Sequence, residues 1–84
     1  MTTGELVQKL KATPKNIDVG MLRIQYKAGR RYALFAAVAD SCVMEYFATV
    51  EEADAKRRAM PHALASVVFT LSADLKMTPL DDSN

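Results

Sequence analysis

The segment that most constrains the fold is residues 31–39, which are mostly apolar at both odd and even positions. Successive side chains of a strand point to opposite faces, so a half-buried strand alternates apolar and polar residues. A strand that is apolar on both faces is usually central in its sheet, or has a second layer covering it. We therefore expect this segment to form a buried strand around which the other elements pack.

A strand is also predicted before it, over residues 21–27. Leu22, Ile24 and Tyr26 lie on one face of such a strand and polar residues on the other, which is the period of a half-buried strand. Gly29 follows, and glycine readily adopts the positive φ that tight hairpin turns require. The pattern predicts a hairpin between residues 21–27 and the central strand.

A third strand is predicted after the central one, over residues 42–50. Asp40 and Ser41 are typical turn residues and separate the two segments. Residues 42–50 contain valine, tyrosine and phenylalanine, which strands favour. The three segments together predict a three-stranded antiparallel meander.

Two helices are predicted from local signals. Thr49 and Glu52 have the spacing of a capping box, so a helix is expected to begin directly after the third strand. A shorter helix is expected over residues 4–12, and it ends before Pro14 because the residue before a proline avoids the helical region.

The C-terminal part of the chain allows two interpretations. A fourth strand is predicted over residues 67–78, where the odd positions are all apolar and Val68 is the sole apolar even position. In the alternative the second helix continues to about Lys76, giving a long kinked helix. We favour the strand because Pro61 interrupts a helix. Residues 79–84 are polar and acidic and are expected to fray.

A length of 84 residues indicates one small domain spanning the whole sequence, and the predicted helices and strands make it an α+β domain. Half of the residues are apolar and the net charge is +1, which is typical of a folded domain. No apolar run approaches the length of a membrane span, and the N-terminus lacks the basic start and apolar core of a signal peptide. We therefore expect a cytoplasmic protein with no membrane partner.

The sequence offers no constellation of catalytic residues. His62 and Cys42 are the single histidine and the single cysteine, too few for a structural zinc site within the chain. The glycines stand apart, so no phosphate-binding loop is present. We predict that the protein is not an enzyme and uses no metal, no cofactor and no small-molecule substrate.

Charge is distributed unevenly along the chain. Residues 21–39 carry +4, residues 40–54 carry −5, and residues 56–58 carry +3. Such a dipolar distribution steers a charged partner toward the basic groups. The residues predicted to bind a partner are Lys27, Arg30, Arg31, Lys56, Arg57 and Arg58.

Aromatic residues exceed what one thin core must use, and small domains often bury such a surplus against a partner or in a homodimer. We therefore predict a binding protein that acts on another protein. Small domains without catalytic residues are typical of phage- or mobile-element-encoded inhibitors and adaptors, and this class is our functional hypothesis.

An alternative hypothesis comes from the residues Gln25, Tyr26, Lys27, Val38, Ala39, Asp40, Thr49, Asp54, Ala55, Lys56, Arg57 and His62. They carry a resemblance to the smaller of the Alu-domain proteins of the signal recognition particle. It implies an RNA-binding α-β-β-β-α module in which the basic residues of the sheet meet phosphate. The sequence departs from that pattern at Arg58 and Pro61.

Overall fold

A computed structural model describes residues 3–39 and 41–80, and there the chain forms three α-helices and one four-stranded sheet. Every strand pairing is antiparallel, and the strand order is β2-β1-β3-β4. The predicted α+β class and the single small domain are confirmed. The elements are α1 (Thr3–Ala12), a 3-10 turn (Thr13–Asn16), α2 (Val19–Lys27), β1 (Tyr32–Val38), β2 (Ser41–Phe47), α3 (Val50–Arg58), β3 (Ala65–Leu71) and β4 (Met77–Pro79).

The doubly apolar segment is β1, and it is central as predicted. Its odd-numbered residues face α1, where Phe35 packs against Phe69 of β3 with ring centroids 4.8 Å apart. Its even-numbered residues face α3, where Leu34 packs with Val68 and Ala53. Because each face of β1 lies under a helix, apolar side chains are needed at both odd and even positions.

The position of α3 follows from the topology of the sheet. β2 and β3 are both antiparallel to β1, so they are parallel to each other and flank it. A connection between parallel strands on either side of β1 must cross the sheet, and α3 makes that crossing. The predicted three-stranded meander is therefore wrong, because the second neighbour of β1 is β3 and comes after α3 in the chain.

The predicted capping box at the start of α3 is confirmed. The Thr49 hydroxyl accepts from the Glu52 amide at 3.2 Å, and the Glu52 carboxylate accepts from the Thr49 amide at 3.3 Å. The helix ends at Arg58, before Pro61, as expected. The capping box and Pro61 each lie within a few residues of the helix end that they determine.

The predicted first strand is wrong, because residues 21–27 belong to α2. Gly29 has φ +85° and ends that helix instead of turning a hairpin. The Gly29 amide donates to the Tyr26 carbonyl and the Arg30 amide donates to the Gln25 carbonyl, each at 3.0 Å. This pair of hydrogen bonds is a Schellman motif, in which glycine supplies the left-handed residue after the helix.

Replacing Gly29 by alanine is expected to lower the free energy of unfolding by about 1 kcal/mol, because an L-residue is strained at positive φ. A Cβ at this position would meet no atom within 4 Å, so the loss measures backbone strain alone. The change in the free energy of unfolding is measured by chemical denaturation. The comparison is Gly20→Ala in α2, where φ is not positive, alanine is the better helix former and the added Cβ would displace the Asp18 carboxylate 2.8 Å away. No loss at Gly29→Ala would contradict the cap.

The C-terminal segment is extended, as the sequence pattern favoured, and the alternative prediction of a long kinked helix is wrong. It forms two strands, β3 and β4, joined by the turn at residues 72–76. The turn is closed by the Ser72 hydroxyl, which donates to the Lys76 carbonyl and accepts from the Lys76 amide, while Leu75 adopts φ +63°. The α-β-β-β-α order implied by the Alu-domain resemblance is not the order found.

The C-terminal tail and the predicted turn at Asp40 and Ser41 are described only in part. Pro79, where the frayed tail was expected to begin, belongs to β4, and the Leu80 amide donates to the Val68 carbonyl at 2.7 Å. Residues 81–84 lie outside the described residues. Asp40 of the predicted second turn is also outside them, and Ala39 beside it has φ +52°.

Candidate protein-interaction surface

The first predicted basic group lies at the end of α2, not in a hairpin. Arg31 places its guanidinium 3.6 Å from the centre of the Tyr26 ring and donates to the Tyr26 carbonyl at 2.5 Å. Arg30 donates to the Gln25 side-chain carbonyl at 3.0 Å. These contacts hold the two guanidinium groups against the last turn of α2, and Lys27 is exposed beside them.

The second predicted basic group lies on α3 and is also engaged within the chain. Lys56 pairs with Glu45 of β2 at 3.6 Å. Arg57 donates to the hydroxyl and carbonyl oxygens of Ser66 at 3.0 and 3.3 Å, and Arg58 is exposed.

The two basic groups are separated along the sheet. The first precedes Tyr32, whereas Ser66, which Arg57 contacts, pairs with Ala36 four residues further along β1. That separation is roughly 13 Å of strand. A role of the basic residues in partner binding stays a prediction.

The hydrogen-bond pattern of β1 shows which backbone groups of β2 face outward. The Leu71 amide donates to the Arg31 carbonyl at 2.8 Å, in register with the β1–β3 ladder. Antiparallel pairing alternates, so the odd residues of β1 bond to β3 and its even residues bond to β2. The β2 residues opposite the odd residues of β1 are Cys42, Met44 and Tyr46. Their amides and carbonyls therefore point away from β1, along the outer edge of the sheet.

This edge lacks the features that usually protect an edge strand. β2 is seven residues long, pairs with β1 without a bulge, and contains no lysine, arginine or proline. Natural edge strands are commonly short, charged, bulged or interrupted by proline. Its one charged residue, Glu45, is paired with Lys56 of the same chain.

The opposite edge of the sheet is protected. β4 has three residues, and one of them is Pro79, which has no amide hydrogen to offer. Beyond the end of β4, the outward carbonyl of Ser66 accepts from Arg57. The contrast between the two edges marks β2 as the side of the sheet that is open to pairing.

A groove lies beside the open edge. α1 packs on β1 and β3, so the same face of β2 is left partly uncovered. The resulting groove has a volume of about 410 Å³ and is lined by α1, including Leu6 and Leu10, and by Ala37 and Cys42 of the sheet. Met44, next along this face of β2, is 50% exposed. Lys9, Thr13 and Ser41 also line the groove, so the outward backbone groups lie beside a groove of mixed polar and apolar character.

Two ionisable groups on the α1 face of β2, the Cys42 thiol and the Tyr46 phenol, have pKa values shifted toward their neutral forms. Partial burial raises the pKa of the Cys42 thiol above its usual range, although a hydrogen bond from the Ala36 backbone opposes the shift. Burial also raises the pKa of the Tyr46 phenol. A raised thiol pKa lowers the thiolate fraction at neutral pH, and the thiolate is the reactive form. The surface is therefore suited to packing and backbone pairing.

Other site chemistry is limited in the part of the chain that the structure describes. No group of three or more histidine, cysteine, aspartate or glutamate residues is placed to hold a metal ion. His62 is exposed. Across residues 3–39 and 41–80, no helix is long and apolar enough to cross a membrane.

Comparisons with known proteins give no family assignment. The chain matches no family model, no curated protein and no solved structure in these comparisons. Function is therefore inferred from the geometry of the surface itself.

The sequence alone directed attention to the basic residues and missed the β2 edge. The signal was present, because the run from Ser41 to Phe47 holds one charge and no proline. What was missing was the strand order. Only that order shows that β2 is an edge strand and β1 is not.

Proposed function

We propose that the protein is a protein-binding domain that receives an extended strand along the open edge of β2. The observation that supports this function is the row of outward amides and carbonyls at Cys42, Met44 and Tyr46 beside a groove between α1 and the sheet. Strand addition takes affinity from main-chain hydrogen bonds and specificity from pockets that accept alternate side chains. Both components are present at this edge.

The two faces of the edge differ in chemistry, which defines the strand that fits. On the α1 face, an incoming side chain meets the half-exposed Met44, so apolar residues are favoured there. On the α3 face it meets Val43 and the Glu45–Lys56 pair, so polar residues are tolerated. The preferred strand alternates apolar and polar residues. A domain that binds a strand of another protein in this way can act as an inhibitor or an adaptor, and this is the functional class that we propose.

The test is selection of displayed random nine-residue peptides on the immobilised protein. We expect enriched peptides to alternate apolar and polar residues and to lose at least about tenfold in affinity for a Met44→Lys variant, because an edge lysine opposes strand pairing. Leu64→Lys is the matched control, since Leu64 is 55% exposed and lies outside the strands. N-methylation of the peptide amides that face β2, which are every second one, should also abolish binding.

Two results would count against strand addition at β2. One is peptides that bind Met44→Lys as tightly as the unaltered protein. The other is peptides whose binding is insensitive to N-methylation at every position, which would show that main-chain hydrogen bonds do not hold them.

A further inference from the structure

We infer that the strand received by β2 is β2 of a second copy of this chain, so that two sheets join into one continuous eight-stranded sheet. The inference rests on the proposed function and names its partner. The two strands run antiparallel about a two-fold axis that passes between their Met44 residues. Such an interface is isologous, meaning that the same surface is used by both copies.

The backbone of β2 has the alternation that this symmetry requires. In an antiparallel pair, the residues that exchange two hydrogen bonds recur at every second position. With Met44 opposite Met44 of the second copy, Cys42 lies opposite Tyr46 on both sides of the axis. All three residues direct their amides and carbonyls outward. Met44 is also the middle residue of β2, so this register pairs the strand over its full length.

The charges of β2 are compatible with the same register. Glu45 is the one charged residue of the strand, and it lies opposite Val43 of the second copy, so the two carboxylates do not face each other. Like charges directly opposite would be destabilising. Each Glu45 is also paired with Lys56 of its own chain.

The layers of the domain leave room for the second copy. α1 packs mainly on β1 and β3, whereas α3 lies over β1 and also contacts β2, so the edge formed by β2 is less covered on the α1 face than on the α3 face. The axis is perpendicular to the sheet, which places the two α1 helices on one face and the two α3 helices on the other. The half-exposed Met44 side chains meet each other at the axis, on the face that carries the grooves.

The test is sedimentation of the whole chain over roughly 1 μM to 1 mM, a range that includes weak dimers. We expect a concentration-dependent dimer whose dissociation constant rises at least about tenfold in Met44→Lys, where two lysines face each other. Leu64→Lys is expected to dimerise like the unaltered chain. Thermal melting of each variant checks that it is folded.

Disulfide trapping tests the register independently of stability. In a Cys42→Ser background, Met44→Cys should give a covalent dimer on mild oxidation, because directly opposite residues have Cα atoms about 5.5 Å apart. Val43→Cys in the same background is the control. Its Cα lies diagonally from the same position in the second copy, at roughly 7–8 Å or more, beyond disulfide reach.

The outcomes separate this inference from the proposed function. A chain that stays monomeric while selected peptides still bind at β2 overturns the second copy as partner and leaves strand addition in place. A dimer unaffected by Met44→Lys, or trapped through residue 43 and not 44, also overturns the inference. If the unaltered chain neither dimerises nor yields peptides that bind at β2, the proposed function is removed as well.

Discussion

Replacing Phe35 by alanine is expected to lower the free energy of unfolding by about 3–5 kcal/mol, as is usual for a buried aromatic side chain. Phe35 is fully buried in the centre of β1, and its ring contacts that of Phe69. The substitution removes this ring pair and leaves a cavity between the sheet and α1. A small domain has only about 5–15 kcal/mol of stability, so the loss is a large part of the total.

The measurement is chemical denaturation followed by circular dichroism. Leu64→Ala is the control, because Leu64 is more than half exposed and its truncation is expected to cost no more than about 0.5 kcal/mol. If Phe35→Ala cost no more than the control, the face of β1 toward α1 would not be the main core of the protein.

The second large effect is expected at Ala53, which is fully buried where α3 meets the sheet. Ala53→Asp places a charge among Leu34 and Val68. The cation one turn further along the helix, Arg57, is already hydrogen-bonded to Ser66. We expect a loss of about 3 kcal/mol or more, because an uncompensated buried charge costs several kcal/mol. Raising the acidity of the solution should recover part of the loss, since protonation of the new carboxyl removes its charge.

Ala55→Asp is the matched control for this variant. It places the same residue in the same helix, two positions further on and exposed to water. It should change the free energy of unfolding by no more than about 0.5 kcal/mol. Equal losses at both positions would mean that helix propensity dominates and that the packing of α3 on β1 contributes little.

The features of the fold that were predicted correctly depend on residues that are close together in the sequence. The capping box of α3 uses the side chains and amides of Thr49 and Glu52, three residues apart. The alternation in the C-terminal segment correctly favoured strand over helix, although it did not show the turn at residues 72–76 that divides it into β3 and β4.

The incorrect strand at residues 21–27 has a physical explanation. Seven residues are too few for alternation to exclude a helix, in which Leu22 and Tyr26 also share a face at a spacing of four. Gly29 was a correct sign of positive φ, but a hairpin and a helix C-terminus both use it. The Schellman hydrogen bonds distinguish the two, and they become visible only once the helix has formed.

The sequence by itself determined the central strand, because only a strand covered on both sides needs the apolar pattern of β1. Tertiary structure decided which strands flank it, and therefore that β2 is an open edge. The reason is that strand order depends on pairing between distant residues, such as Ala36 with Ser66. Several apolar segments compete for the two positions beside β1. The candidate site is a property of that order, so it appears only when the sheet is assembled.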